Sequence, residues 1–552
     1  VKLSFGDAHK LKSVRGPAFV FLAFAFLFIL LRSKDIFVVD GAYRCLEVFH
    51  RQSLFFHGNN HLLYPANVLA WTRLSSAVGF RLDGPFEYFS AVEIMNCLAA
   101  SGSLTIIYIL MHLVSGSWRM ALGATVGYGL SRAFIVQATN ANEPMVGIFW
   151  SFLGICFAAM YWQKEKSIWL IAVSGLLFSL AMATYQSTAL LAPAAFVLIL
   201  LPRSDARFGI DLRRLQGIAF FFLSGLAGCV LIYGWSYWHS GTKNAVAMLK
   251  RFLVHEDARA YLGVSTGKLL SVPVGLVADI FPVLPNYLGL RNLFAERKLL
   301  AISLIILVIA LGGLVISCVL LVLKNWSRIH PAQRVAFQAL TVGFGFTLIP
   351  VIVWSPLYDK LWIQPLACLA FLLVLAFTAM NQDVGIHTSV LRVTAVLLLA
   401  GTCANLVWVV RSHLREPYEF SEAQRLAGLV GNRDLIVGEW DQISTLYGSL
   451  WAADDRFISF PTEAVTNGIG VMPHLRDAVS STERNGGGVY FLGVLDLPKP
   501  SWDAFLGSRC GVPYSEMDSY RAHSRVRATF MTREGEVSLR QFDWPLSTDK
   551  SR

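Results

Sequence analysis

Charged side chains are scarce in this chain. They make up 15% of its 552 residues, against 55% hydrophobic, and the mean hydropathy of +0.53 is more than a water-exposed globular surface of that length can carry. A purely cytosolic enzyme is therefore excluded. Cysteine is sparse as well, with eight in the whole chain. Six of them (Cys97, Cys156, Cys229, Cys318, Cys368 and Cys403) fall inside apolar runs, where the residue behaves as a small hydrophobe. No disulfide framework follows, and Cys45 and Cys510, outside those runs, read as two free thiols. A Gly-rich phosphate loop after a strand is also missing: Asn485-Gly-Gly-Gly488 precedes its apolar run, the reverse of a dinucleotide fingerprint. The net charge of +11 does not come from the C-terminal part, because residues 411–552 hold sixteen basic and nineteen acidic side chains. That balance argues against a nucleic-acid module.

What the chain has in abundance is apolar runs of about 17–25 residues, each long enough to cross a hydrocarbon core about 30 Å thick. They fall near 16–32, 91–113, 119–137, 144–162, 168–184, 187–201, 216–237, 299–323, 335–354, 361–380 and 392–410, predicting a polytopic α-helical membrane protein of about 11 transmembrane helices. Lys2, Lys10, Lys12 and Arg15 precede the first run and no small-residue cleavage site follows it, so it reads as an uncleaved first helix. With that basic start inside, alternate loops carry Arg119, then Lys164 and Lys166, then Arg203, Arg207, Arg213 and Arg214, then Lys324, Arg328 and Arg334, as the positive-inside rule requires. Merging 168–184 with 187–201 would invert all that follows, and the basic loop at 203–214 argues against doing so. The expected localisation is the plasma (inner) membrane, multi-pass, N-terminus cytoplasmic. Residues 1–410 form the membrane domain, with long outer loops at 33–90 and 238–298. Residues 411–552 form an outer α/β domain, in which 434–440, 456–461 and 488–495 read as strands, 420–431 and 473–484 as helices, and 525–544 as a hairpin.

Polar groups that could do chemistry gather on the outer face. The first outer loop runs Phe37-Val-Val-Asp40-Gly-Ala-Tyr43, then an interfacial helix-like stretch to Phe56, then His57-Gly-Asn-Asn-His61-Leu-Leu-Tyr64-Pro65 and an amphipathic segment over 67–80. Asp40 lies just past the first helix, where a carboxylate sits close to lipid headgroups; the alternative role is a helix N-cap. His57 and His61 are four apart, yet Gly58 weakens a helix there, so hydrogen-bonding roles are favoured over a metal pair. Asn140-Ala-Asn142-Glu143-Pro144 joins two spans with almost no loop, placing Glu143 at the membrane surface. Arg132, about two turns inside the preceding helix, is an intramembrane charge and hence a functional candidate or the partner of Glu143 or Glu93. Tyr185-Gln186 and Tyr358-Asp359-Lys360 face the same side. Residues 268–290, broken by Pro282 and Pro285, do not make a secure span.

This arrangement resembles the GT-C superfamily of integral membrane glycosyltransferases, and within it the protein O-mannosyltransferase-like and aminoarabinose-transferase-like group. The likeness rests on the acid after the first helix, the His-Leu-Leu-Tyr-Pro segment, the short acidic loop at 139–145 and the stretch Ala183–Pro193. It implies a sugar transfer from a polyprenyl-phosphate-linked donor to a glycan, lipid or protein acceptor, with inversion and with Asp40 as general base. Asp40 and Glu143 are the implied catalytic pair. His57, His61, Tyr64, Asn140, Arg132, Tyr185, Gln186 and Lys360 are the implied donor and acceptor contacts, the cations answering the phosphate. No cofactor is assigned; the family leaves room for a divalent cation, although Asp40-Gly41 stands where the common pattern has paired acids. The partners expected are the lipid-linked donor, the acceptor and membrane lipids, with no nucleic acid. The rival readings are a polysaccharide polymerase or ligase, which the 238–298 segment would serve, a lipid-linked glycan transporter or flippase, and a non-catalytic envelope subunit.

Overall fold

The computed structural model describes residues 15–33, 45, 48, 49, 61–164, 167–201, 212–239, 263–282, 298–380, 387–413, 418–439, 442–451, 456–467, 470–507, 511–532 and 535–543. The chain divides into two compact units. The first, up to residue 414, is helical: α1 (Arg15–Leu31), α2 (Leu63–Ala77), α3 (Pro85–Ser115), α4 (Trp118–Gly129), α5 (Arg132–Ala138), α6 (Pro144–Lys164), α7 (Ile168–Thr184), α8 (Ala192–Leu200), α9 (Leu212–His239), α10 (Thr266–Ile280), α11 (Lys298–Lys324), α12 (Pro331–Val353), α13 (Ile363–Met380) and α14 (His387–His413). Among the described residues, α3, α6, α9, α11 and α12 are long and apolar enough to cross a membrane by themselves, and α1, α7, α13, the 399–411 part of α14 and the 186–200 stretch are shorter apolar helices. With the broken pair α4 and α5, these account for the eleven runs read from the sequence.

Local chemistry sets the breaks. Gly84 and Pro85 open α3, and Gly116, at φ 66°, closes it in the left-handed region with its N–H on the carbonyl of His112, the conformation that glycine adopts without strain. Pro331 stands in the first turn of α12, where its missing N–H costs nothing. The span expected at 119–137 is not continuous: α4 ends at Gly129, and Ser131 starts α5.

The chain reversal between α7 and α8 is real. Tyr185 is extended, at φ −154° and ψ 107°, a 3-10 turn follows over Gln186–Leu191, and the Trp162 indole N–H reaches the carbonyl of Leu201 at 3.2 Å. The end of α8 thus returns to the end of α6, so the two runs are separate antiparallel helices. At that same end Arg214 donates to Leu200 O at 3.0 Å and Gln333 to Val114 O at 3.0 Å. Helices α7 and α9 meet through small residues: a methyl group on Gly175 would overlap the Phe221 carbonyl, and one on Gly228 would overlap the Ser179 hydroxyl. Such close backbone approach is how helices associate where lipid supplies no hydrophobic drive.

The segment judged too interrupted for a span contains α10, a formed helix with Pro273 inside it. Fifteen residues reach only about 22 Å, short of a bilayer core, so α10 dips into the bundle without crossing. Its start is tied by Lys268 Nζ to the carbonyls of Val353 at 2.7 Å and Gly263 at 2.9 Å. At Gly275 there is no room for a Cβ beside the Pro356 carbonyl.

The second unit holds α15 (Tyr418–Leu429), β1 (Leu435–Gly438), α16 (Gln442–Leu450), β2 (Phe457–Ser459), α17 (Phe460–Asn467), α18 (Val471–Arg484), β3 (Val489–Leu492), β4 (Ser524–Thr532) and β5 (Gly535–Phe542). One five-stranded sheet runs β2-β1-β3-β5-β4, parallel across β2, β1 and β3 and antiparallel beyond. β1 and β3 are buried along their whole length, which is why both read as unbroken apolar runs. The Asp434 carboxylate accepts from the N–H groups of Gly431 and Gly488 at 2.7 and 2.6 Å, pinning the starts of β1 and β3 side by side. The expected strands, helices and hairpin are present; α16 and α17 were not anticipated. Cys45 and Val48 are fully buried.

Candidate functional site

At the end of the bundle opposite the Trp162–Leu201 contact, a run of hydrogen bonds joins four elements. Asn96, in α3, donates from one amide nitrogen to the carbonyls of Asn140 and Asn142 at 2.8 and 2.6 Å, clamping the short α5–α6 connection. Asn142 donates onward to Gln137 Oε1 and accepts from the Glu143 N–H at 3.0 Å. Gln137 donates to Asp359 Oδ1 at 3.2 Å, and the Lys360 N–H donates to the same oxygen at 2.7 Å. Glu143 and Lys360, more than 200 positions apart, are therefore ends of one network. The Glu143 side chain is 1% exposed and stands immediately before the first turn of α6, where the helix dipole favours a carboxylate.

Beside that network Lys360 Nζ lies 4.6 Å from the ring centre of Tyr358 and 5.8 Å from that of Tyr185, and the His61 ring stacks on Tyr185 at 5.2 Å. Aromatic faces hold an ammonium in place without neutralising it. The turn between α12 and α13 that presents Lys360 is fixed by the Trp362 indole, which donates to Pro356 O at 2.7 Å. Gln364 secures the start of α13 through Thr188 O at 2.9 Å and the Ser151 hydroxyl at 3.3 Å.

The expected site residues divide three ways. Asp40 and His57 lie outside the described residues. His61, Tyr185 and Lys360 lie side by side, and Glu143 is joined to Lys360 through the hydrogen-bond network. Tyr64 is fully buried in the first turn of α2, Asn140 closes the last turn of α5 by donating to Val136 O at 2.7 Å, and Gln186 lies beside Tyr233 of α9. Arg132 differs in position from the expectation: it is the first residue of α5, just after the helix break, rather than two turns inside a helix. Its guanidinium donates to Ala278 O at 3.3 Å and lies 5.5 Å from the Trp408 ring centre.

Two carboxylates flank that guanidinium electrostatically. Asp279, on the last turn of α10, is 1% exposed and its Oδ2 has no hydrogen-bond partner among the described residues. Burial pushes its carboxyl well above the usual carboxylate range; attraction to Arg132 pulls it back, and the nearby Asp359 charge pushes it further up. Burial likewise raises Asp359, opposed by Arg132, by Lys360 and by the bond from Gln137. Asn405, in α14, donates to Leu130 O and Ile280 O, both at 2.7 Å. Asp279, Gln137, Asn96 and Asn405 escaped the sequence reading. A lone acid or amide in an apolar run was the available signal, since polar side chains inside a membrane are costly and rarely idle. Among the described residues no three His, Cys, Asp or Glu side chains converge as metal ligands.

No protein-family model and no curated protein matches the chain. Its structure does match solved ones. ArnT from Cupriavidus metallidurans bound to undecaprenyl phosphate superposes with a TM-score of 0.53 at 12% identity over 96% of this chain and 98% of that one. The apo state of the same protein gives 0.52 at 12% identity over 95% and 97%. The chain thus has a GT-C-like fold, that of a polytopic helical membrane protein with a C-terminal α/β domain.

Proposed function

We propose that this protein is an integral membrane glycosyltransferase of the GT-C kind, moving a sugar from a polyprenyl-phosphate donor to an acceptor at the outer face of the plasma membrane. The observation that carries this reading is the network from Glu143 to Lys360 at one end of the bundle, in a fold shared with a protein that binds undecaprenyl phosphate. The basic loop residues Lys324, Arg328 and Arg334 stand at the opposite end, next to the Gln333 contact with α3. The positive-inside rule then makes that end cytoplasmic and the network outer.

In the proposed reaction the acceptor oxygen attacks the anomeric carbon as the bond from that carbon to the phosphate oxygen breaks. The electron pair leaves with the polyprenyl phosphate, and the acceptor proton passes to Asp40 as general base. One displacement inverts the anomeric centre. Lys360, held between Tyr358 and Tyr185, answers the phosphate charge that grows as the bond breaks, and His61 lines the same wall. Glu143 is the second carboxylate of the site, placed to take the base role or to hold the acceptor.

The test is transfer from a polyprenyl-phosphate sugar by the full chain in nanodiscs. Asp40→Asn abolishes transfer while undecaprenyl phosphate still binds; full activity in that variant moves the base to Glu143. Lipid that crosses proteoliposomes faster than protein-free vesicles, with no sugar transferred by the wild type, would overturn the enzymatic reading in favour of a flippase.

A further inference from the structure

The network that joins Glu143 to Lys360 passes through Gln137, and the direction of each bond in it is fixed. Its two outer donors are backbone N–H groups, which cannot turn round. At one end the Glu143 N–H donates to Asn142 Oδ1 at 3.0 Å, which leaves the Asn142 amide nitrogen to face Gln137. At the other the Lys360 N–H donates to Asp359 Oδ1 at 2.7 Å, so that oxygen is an acceptor and the Gln137 amide nitrogen faces it, at 3.2 Å. Gln137 Oε1 is then the acceptor for Asn142. An amide can accept from one partner and donate to another while carrying no charge. That suits Gln137, which is 2% exposed, where a charge would be costly. The arrangement is the same whether or not Asp359 carries a proton on its other oxygen.

The two ends of the network are anchored separately. Asn96 holds the carbonyls of Asn140 and Asn142, and the Ser33 N–H donates to Thr139 O at 3.0 Å. The Lys360 turn is held by Trp362 on Pro356 O and by Gln364 on Thr188 O. Gln137 bridges them from the last turn of α5, which is aimed there by the break before it. The Ser131 hydroxyl donates to Tyr128 O at 2.7 Å, and the Tyr128 hydroxyl to Ile363 O at 3.0 Å, at the start of α13. We propose that Gln137 is a positioning residue of the transfer reaction, its amide setting the spacing between the Glu143 connection on the acceptor side and the Lys360 turn on the donor-phosphate side. It acts through Asn142 and Asp359 and touches neither substrate. Because each side keeps its own anchors, loss of the amide leaves both able to bind but out of register for attack, and a misplacement of about 1 Å is enough to cost about a hundredfold in rate.

This inference rests on the glycosyltransferase reading, and the experiment separates the two. The full-length protein in nanodiscs is assayed for transfer from a polyprenyl-phosphate sugar and, separately, titrated with undecaprenyl phosphate. Gln137→Met keeps an unbranched stem and removes both bonds. It lowers kcat by at least about tenfold, while the dissociation constant for undecaprenyl phosphate stays within about threefold of wild type. Asn142→Leu breaks the same relay at its next link, so the double variant is no slower than the worse single one, to within about threefold. Asp359→Asn retains an oxygen for both donors and keeps kcat within about threefold of wild type. An unchanged kcat in Gln137→Met, a dissociation constant that worsens as much as kcat falls, or losses that multiply in the double variant would each reduce Gln137 to a support of the fold and overturn the proposal. Should Gln137→Met fail to fold, Asp359→Asn decides: turnover kept within that limit agrees, and a greater loss overturns. A wild-type chain that transfers no sugar overturns the glycosyltransferase reading itself, a result distinct from every outcome among the variants.

Discussion

Replacing Lys360 by methionine tests the donor site most directly, because the side-chain stem survives and only the charge is removed. In the free protein the ammonium faces two tyrosine rings, at 4.6 and 5.8 Å, contacts of about 0.5–1 kcal/mol each where water has access. The methionine sulfur regains about 0.3–1.5 kcal/mol against the same rings, so folding stability should change by no more than about 1 kcal/mol. Donor binding responds differently. A charge-assisted contact to a phosphate is worth about 1.5–3 kcal/mol, which is roughly ten- to a hundredfold in affinity. The assay compares the dissociation constant for undecaprenyl phosphate at fixed ionic strength in wild type, Lys360→Met and a chain ending at Arg415. The expected result is a loss of ten- to a hundredfold in the first variant, with a smaller effect of truncation. An unchanged constant for Lys360→Met, together with a strong loss in a folded truncated chain, would refute the reasoning and move recognition to the C-terminal domain.

Asn405→Leu should destabilise the membrane unit by about 2–6 kcal/mol. It leaves the Leu130 and Ile280 carbonyls unpaired in a buried setting, at about 1–3 kcal/mol each; denaturation in mixed detergent micelles reads the loss, and a change under about 1 kcal/mol would mean the clamp is dispensable. Asp279→Asn should flatten the dependence of stability on pH. Burial raises the folded carboxyl above its ordinary 3.8, so its contribution is whole below that value and is lost as pH climbs through the folded value. The wild-type melting temperature therefore falls more than that of the variant as pH rises above the ordinary carboxyl value; parallel curves would contradict this. Single-cysteine labelling should place residues 33–90, 238–298 and 411–552 on one side of the membrane and 203–215 and 324–334 on the other, whereas an inward C-terminal domain would break the odd span count.

The spans were legible because bilayer thickness sets the length of an apolar run, and that constraint is local. The same holds for β1 and β3, whose burial on both faces leaves an uninterrupted apolar signature in the chain. The break at Leu130-Ser131 was not legible: an apolar helix interrupted for two residues keeps its composition, and only the packing of α10 and α14 against it gives the interruption a cause. Residues 268–290 were read as no secure span, and the helix α10 inside them, too short to cross, was not foreseen. Pro273 and the later prolines lower helix propensity, but tertiary contacts at Lys268, Gly275 and Asp279 hold α10 regardless. Within the site, the residues found from sequence were those at loop boundaries, Glu143, Tyr185 and Lys360. Those missed, Gln137, Asp279 and Asn405, lie within helices, where a polar residue announces a partner without saying which.

The placement of polar groups also bears on the rival readings. A transporter that carries a glycan through the bilayer needs polar side chains along a path, with helices broken near the midplane. Among the described residues the hydrogen-bonded acids and amides linked to Lys360 come from helix ends and short connections: Gln137 and Asn142 around the α5–α6 turn and Asp359 before α13. Asn96 reaches the same connection from within α3. Their shared end favours chemistry at a membrane surface, where a lipid phosphate and a water-borne acceptor meet. The energetic argument agrees: buried carboxylates are tolerated when fixed cations oppose them, and Arg132 and Lys360 do so at that end. Transport would call for a second polar cluster at the opposite end, joined to the first by a chain of buried hydrogen bonds; among the described residues the bonds at that end include those from Trp162, Arg214, Gln333 and Arg334 to main-chain carbonyls.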